Sequence, residues 1–365
     1  MEKVTRPQYM KSGHETIFHQ LRQDVHALVA QLEPMRKSGI LLKALLFPVL
    51  YILIYISLLI WGNNAEVLYA GYFGLGLLLV VIFLNIIHDA VHGTIFKSKQ
   101  LNEWYVYLFD VMGANSYTWR MRHVRFHHNY PNVSGWDTDV EQSKLARIFP
   151  TDERLRIHRY QHIYLPLLYP LYLLNWLLIR DFKDFFNKKR TVWKLTTIPK
   201  EEYIKLFLFK AFFLFYLIVL PHWVLSISWM KVIAGFCVMM FTASIFSLIV
   251  LLSPHANTHS AFPLPDENNQ LPHNWMMHML TTTNDVQSDN WFTRFCMGCF
   301  NFHVVHHLFP NINHVYYPEV TNLLKEYAAR YDLPYKSYPL GTSLLNHYRL
   351  LKHNGATEDI FEETM

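Results

Sequence analysis

At 365 residues with 52% hydrophobic and 16% aromatic content, the chain could bury more than one soluble core, yet its apolar residues condense into runs of roughly 20, the length that crosses a bilayer as helix. A formal net charge of +5 does not mark a nucleic-acid binder, because the basic residues flank apolar runs and form no aromatic-interleaved patch. Three cysteines argue against a secreted disulfide framework, and the polar N-terminal stretch carries no apolar core of the signal-peptide kind.

Residues 1–43 mix charge with a helical apolar stripe (Phe18, Leu21, Val25, Leu28, Leu32) expected to pack on the protein or lie on the membrane surface. His14, His19 and His26 in this stretch read as solvated surface. Apolar runs at 44–61 and 67–87, split by the tight loop 62–66, predict a membrane hairpin. Runs at 206–220 and 232–252 predict a second, joined through Pro221, Trp223 and Trp229, the tryptophans suiting an interface. The stretch 164–179 is apolar but interrupted by Pro166 and Pro170, and reads as half-buried or interfacial. Beyond 318, two amphipathic helices are expected, one over 320–331 and one over 343–353 that stops near Gly355.

The expected fold is therefore all-α: four transmembrane helices in two hairpins under a cytoplasmic helical cap that holds a dimetal site. It divides into an N-terminal amphipathic segment (1–43), a membrane domain (44–318) and C-terminal helices (319–365). Except for Lys210 and Lys231, all 33 lysines and arginines fall within 1–43, 88–205 and 253–365. Positive charge accumulates on the cytoplasmic side of membrane proteins, so the termini and the long middle segment are expected to share that face.

The chemistry sits in three histidine boxes on that face. His88 and His92 stand at i and i+4 where the second run ends, and His123, His127 and His128 form the next box. His303, His306 and His307 form the third, three imidazoles within one helical turn. Eight imidazoles exceed what one ion takes, so two metals sharing a pocket is the natural count, although imidazole alone does not choose between iron, zinc, copper and nickel. Asp89, Asn129, Asp137 and Asp139 lie close enough in sequence to orient ring nitrogens, and equally suit helix caps and turns. Cys296 and Cys299 form a CxxC that reads as structural.

With these boxes the sequence resembles the membrane fatty acid desaturases over roughly residues 40–330. The likeness extends through Trp119 to His128, Tyr130-Pro131-Asn132, Asp137-Thr138-Asp139, and His303 to Pro310 with His314 and Tyr317-Pro318. It implies a diiron centre that uses O2 to place a cis double bond in a fatty acyl chain, carried as acyl-CoA or phospholipid. It also implies a ninth ligand before the third box, matched best by His255, with His259 as rival, and a substrate-binding role for Trp119 and Arg122. The family's fused haem signature His-Pro-Gly-Gly does not occur here, so electrons from NAD(P)H are expected through a separate ferredoxin or b5-type cytochrome. The basic side chains Arg120, Arg122, Arg125, Lys188, Lys189 and Arg190 suit an acidic carrier or substrate phosphates. A bacterial inner membrane is the expected location.

Front-end desaturases usually carry Gln where this chain has His303, while the segments 159–164 and 313–318 resemble front-end and bacterial linoleoyl-CoA-desaturase-like members. His-Val-Val-His-His itself resembles methyl-end enzymes, which leaves the bond position open. Two other functions fit histidine clusters in a membrane: hydroxylation or ketolation of a lipid or carotenoid on the same scaffold, and metal transport.

Overall fold

The computed structural model describes residues 5–11, 15–141, 143–252 and 254–356. His14 and residues 357–365 of the C-terminal segment lie outside them. The protein is built almost wholly of helices. Helix α1 (Glu15–Trp61) runs 47 residues without a break, through Pro34 and Pro48. At 1.5 Å per residue it is about 70 Å long, more than twice the apolar thickness of a bilayer. The boundary expected at residue 43 is thus a change of surroundings within one helix. Its N-terminal stripe packs inward: Leu21 and Val25 are fully buried, and Phe18 meets Trp275 and Phe309.

Helix α2 (Ala65–Ile82) starts at Asn64, whose side chain accepts the amides of Glu66 and Val67. It passes into a π-helical turn, Phe83–Ile87, and then the short helix His88–Val91. The other long apolar elements are α3 (Lys200–Leu214), which continues to Leu225, and α4 (Trp229–Leu251). Helices α2 and α4 pack very closely. A Cβ on Gly76 would stand 2.4 Å from the carbonyl oxygen of Met239, and one on Gly235 would stand 2.2 Å from the Tyr72 ring. Gly76→Ala must push the two backbones apart and is expected to cost about 1–3 kcal/mol, seen as a lower unfolding midpoint in detergent.

Among the described residues, five helical stretches are long and apolar enough to cross a membrane, one more than the sequence pattern predicts. The extra one, Arg156–Lys194, is assembled from short α, 3-10 and π pieces around Pro166 and Pro170. Only 11% of its apolar window is buried, against 50% for α4.

The C-terminal part adds the third-box helix α5 (His303–Leu308), α6 (Tyr317–Tyr331) and α7 (Leu340–Ala356). Pro318 sits in the first turn of α6, where its missing N–H costs nothing. Arg36 of α1 pairs with Glu319, and the Tyr327 hydroxyl donates to Asp24 at 2.5 Å, so α6 lies along the part of α1 that precedes its apolar run. Two short parallel strand pairs interrupt the all-α pattern, Gln8–Tyr9 with Gln270–Leu271 and Asp285–Val286 with Ser337–Tyr338.

Candidate metal centre

The fold gathers nine imidazoles into two adjoining groups. His88, His92, His123, His128 and His306 form one, and His127, His255, His303 and His307 the other; within each group the candidate ligand atoms lie within 4.8 Å of one another. Each adjacent His-His pair is divided between the groups, because neighbouring helical residues point about 100° apart. The second box is itself a π-helix, Met121–His127, with the amide of His128 bonded to the carbonyl of His123. That wider turn superposes residues five apart and brings the Nε2 atoms of His123 and His128 to 3.1 Å. A second π turn ends at the first box, placing Nε2 of His88 3.1 Å from the same His123 atom.

These separations suit ligands of a common cation. Nitrogens about 2.1 Å from an ion and at right angles around it stand about 3.0 Å apart. In the second group, Nε2 of His255 is 2.9 Å from Nε2 of both His303 and His307. The buried Nε2 atoms of His92 and His306 have no hydrogen-bond partner among the described residues. An all-imidazole donor set fits divalent first-row metals. Burial keeps five of these rings in the neutral form that binds metal: it pushes His128, His303, His306 and His307 well below the ordinary imidazole value and His255 to about 3. Between the two rivals for ninth position, His255 lies in the cluster, whereas His259 is exposed and stacks on Tyr338.

Carboxylates fix two of the rings. Asp139 accepts from Nδ1 of His123 and Asp137 from Nδ1 of His127, both at 2.9 Å, so each Nε2 lone pair is left to face its group. Asp137 also accepts the amides of Asn132, Asp139 and Val140, which anchors it within its own loop. Asn132 in turn donates to the carbonyls of His255, Ala261 and Thr282, joining the second box to the segment that supplies His255. Asn132 adopts φ 59°, a left-handed conformation that asparagine tolerates. On the third box, Oδ1 of Asp285 accepts the Val304 amide and Oδ2 takes the Tyr335 hydroxyl, fixing the start of α5.

The other two candidate orienting residues point elsewhere. The Asn129 side chain donates to the carbonyls of Val124 and Arg125 and closes the second-box helix. Asp89 accepts from Asn313 and from Nδ1 of His314, each at 2.6 Å, and touches no ring of the two groups through a hydrogen bond. Nε2 of His314 faces Lys43 at 2.9 Å; an ammonium can only donate, so His314 is neutral with its proton on Nδ1. The other two Lys43 protons go to Asn85 Oδ1 and the Arg294 carbonyl, which satisfies a buried charge completely. Sequence reasoning gave Lys43 no role; a lysine bordering an apolar run was the available signal. Cys296 and Cys299 are free thiols, and burial pushes Cys299 up to about 12, so it stays protonated.

Arg122 departs from the expected substrate contact. It is fully buried, bound to Asp139 at 3.1 Å and Asp184 at 3.3 Å, with its guanidinium over the Trp176 ring; no face remains for a head group. It holds Asp139, which holds His123. Trp119, 2% exposed, stacks on His123 at 5.3 Å and abuts Phe83 and Phe109. Both phenylalanines line an apolar cavity between α2, α4 and the Arg156–Lys194 stretch, together with Leu79, Trp176, Met240 and Leu251. Trp119 therefore stands between the cavity wall and a ring of the first histidine group.

Comparison with known proteins agrees with this architecture. The family model described as fatty acid desaturase matches residues 66–339. An acyl-lipid (8-3)-desaturase of Physcomitrium patens is 28% identical over 356 residues, covering 96% of this chain and 74% of that protein. An sn-1 linoleoyl-lipid 6-desaturase of Synechocystis sp. is 29% identical over 283 residues, with 77% and 79% covered. Delta(5) fatty acid desaturase A of Dictyostelium discoideum is 29% identical over 297 residues, with 77% and 62% covered.

Proposed function

The chain belongs to the fatty acid desaturase family and is an O2-dependent membrane desaturase, and from that premise we propose that it acts on a lipid-linked acyl chain near its carboxyl end. The names of the relatives support the substrate and the position. Nine imidazoles in two groups beside an apolar cavity carry the reading. Two hydrogens leave neighbouring methylenes, one O2 is reduced with two added electrons and two protons, and a cis alkene and two waters result.

We assign one iron to His88, His92, His123, His128 and His306, and a second to His127, His255, His303 and His307. Bound there, the metal pair supplies the oxidising chemistry that an unactivated C–H bond requires. The chain's own residues do the rest. Asp137 and Asp139 hold two rings in the productive tautomer, Phe83, Phe109 and Trp119 keep water from the reacting carbons, and the cavity holds a flexible chain in one register. Electrons come from NAD(P)H through a ferredoxin or b5-type carrier, which the exposed Arg125, Lys188 and Lys189 suit. The distribution of positive charge supports a cytoplasmic cap over two hairpins, with Arg156–Lys194 resting at the interface.

Mass spectrometry of host lipids with double-bond localisation tests the reading. Expression of the wild type should add a cis double bond at the carboxyl side of existing ones, and a His303→Ala, His307→Ala double variant should add none. A hydroxyl or keto group in place of the double bond would move the protein to the oxygenating branch of the scaffold.

A further inference from the structure

The apolar cavity beside the histidine groups has a polar feature that the desaturase reading does not use. Among its lining side chains only Tyr172, Trp176 and Ser247 carry polar atoms. The indole nitrogen of Trp176 is buried and has no hydrogen-bond partner among the described residues. Such an N–H is costly in a low-dielectric site unless something accepts from it. The ring also carries two cations, with the Arg122 guanidinium 4.6 Å and that of Arg180 4.9 Å from its centroid. Both cations are buried and held in turn, Arg122 by Asp139 and Asp184 and Arg180 by the carbonyls of Thr138 and Glu141.

We infer that the Trp176 indole N–H donates to the ester carbonyl of the acyl substrate, and so sets the distance from the carboxyl end at which the chain is desaturated. The inference rests on the carboxyl-end reading above. Two chains of side-chain contact join Trp176 to the first histidine group. Its ring lies 6.3 Å from Phe109, which is 4.8 Å from Trp119, which stacks on His123. Arg122 and Asp139 also lead from it to the same His123. The depth also suits an ester. Gly113, another lining residue, accepts from Lys210, which pairs with Asp181 at 2.9 Å, so this end of the cavity lies where charged side chains border the apolar spans. The cation pair gives the indole a second property: two guanidiniums facing the ring draw electron density from it and strengthen its N–H as a donor.

Trp176→Phe removes the donor and keeps a ring for the guanidiniums. The test compares an ester-linked phospholipid with its ether-linked analogue, which lacks only the carbonyl, using reconstituted protein loaded with iron. Wild type is expected to favour the ester about tenfold in kcat/KM, the worth of one buried hydrogen bond, and Trp176→Phe to bring the ratio close to one. The variant's products should also include a second positional isomer. An unchanged ester preference in Trp176→Phe, or loss of the preference in Tyr172→Phe instead, would overturn the assignment. If wild type desaturates neither lipid, the carboxyl-end acyl-lipid reading fails, an outcome distinct from the other two.

Discussion

His255→Ala is expected to lower bound iron from about two atoms per chain to about one and to reduce desaturation at least about 100-fold, while His259→Ala retains both. The two residues are four apart in one loop, yet their surroundings differ entirely. Nε2 of His255 lies 2.9 Å from two other imidazoles of a group of four, and burial holds its ring neutral. A cation left with three imidazoles there loses a ligand that no nearby side chain replaces. The group of five has one ring more, so His92→Ala should lose less iron than His255→Ala. Elemental analysis of purified protein, with an iron-chelator titration, ranks the three variants. Full iron occupancy in His255→Ala would refute the division of the nine rings into two sites.

The second large effect is expected at Asp139. Asp139→Ala leaves the Nδ1 proton of His123 without its acceptor and strips Arg122 of one of its two carboxylates, in a place where the guanidinium has no access to water. Breaking such a buried pair costs about 3–5 kcal/mol, and losing the support of a ligand costs about 10–100-fold in metal affinity. Burial alone would raise the Asp139 carboxyl, but His123 and Arg122 more than offset this and hold it far below the carboxylate range. Asp139→Asn separates the two losses: the amide oxygen can still accept from His123, so iron affinity should fall less than in the alanine variant while the Arg122 charge remains underpaired. Asn129→Ala, which touches only the carbonyls of Val124 and Arg125, should leave iron binding as it is.

The histidine boxes were legible in the sequence because closely spaced histidines recur in three places, at i, i+4, at i, i+4, i+5 and at i, i+3, i+4. His255 was legible only through family resemblance. What spacing does not show is which rings share a site. His123 and His128 meet because the second box winds as a π-helix, and nothing in Met121–His127 departs visibly from an α-helical pattern. Asp89 and Asp139 were indistinguishable as sequence neighbours of ligands, since their roles depend on His314 and Arg122, which approach from elsewhere in the chain. The unbroken α1 was obscured by a change in composition at residue 43, which marks where the helix enters an apolar environment and leaves its backbone hydrogen bonding untouched. The Arg156–Lys194 stretch was harder still: prolines that end a helix by the usual rule are accommodated here, Pro166 within a short α-helix and Pro170 in a 3-10 turn.

Lys43 emerges from the ribosome long before anything that can neutralise it. Asn85 follows 42 residues later, but the Arg294 carbonyl and His314 come only after 251 and 271 residues. An ammonium near the start of an apolar run does not enter hydrocarbon alone, at a cost of about 2.5–3.5 kcal/mol toward the bilayer centre, so during synthesis it stays among lipid head groups. The first helix can therefore insert early but settle only late, when the final quarter of the chain delivers its acceptors. The order of synthesis and the order of locking run in opposite directions, and a nascent chain stalled before His314 would hold its first membrane helix loosely.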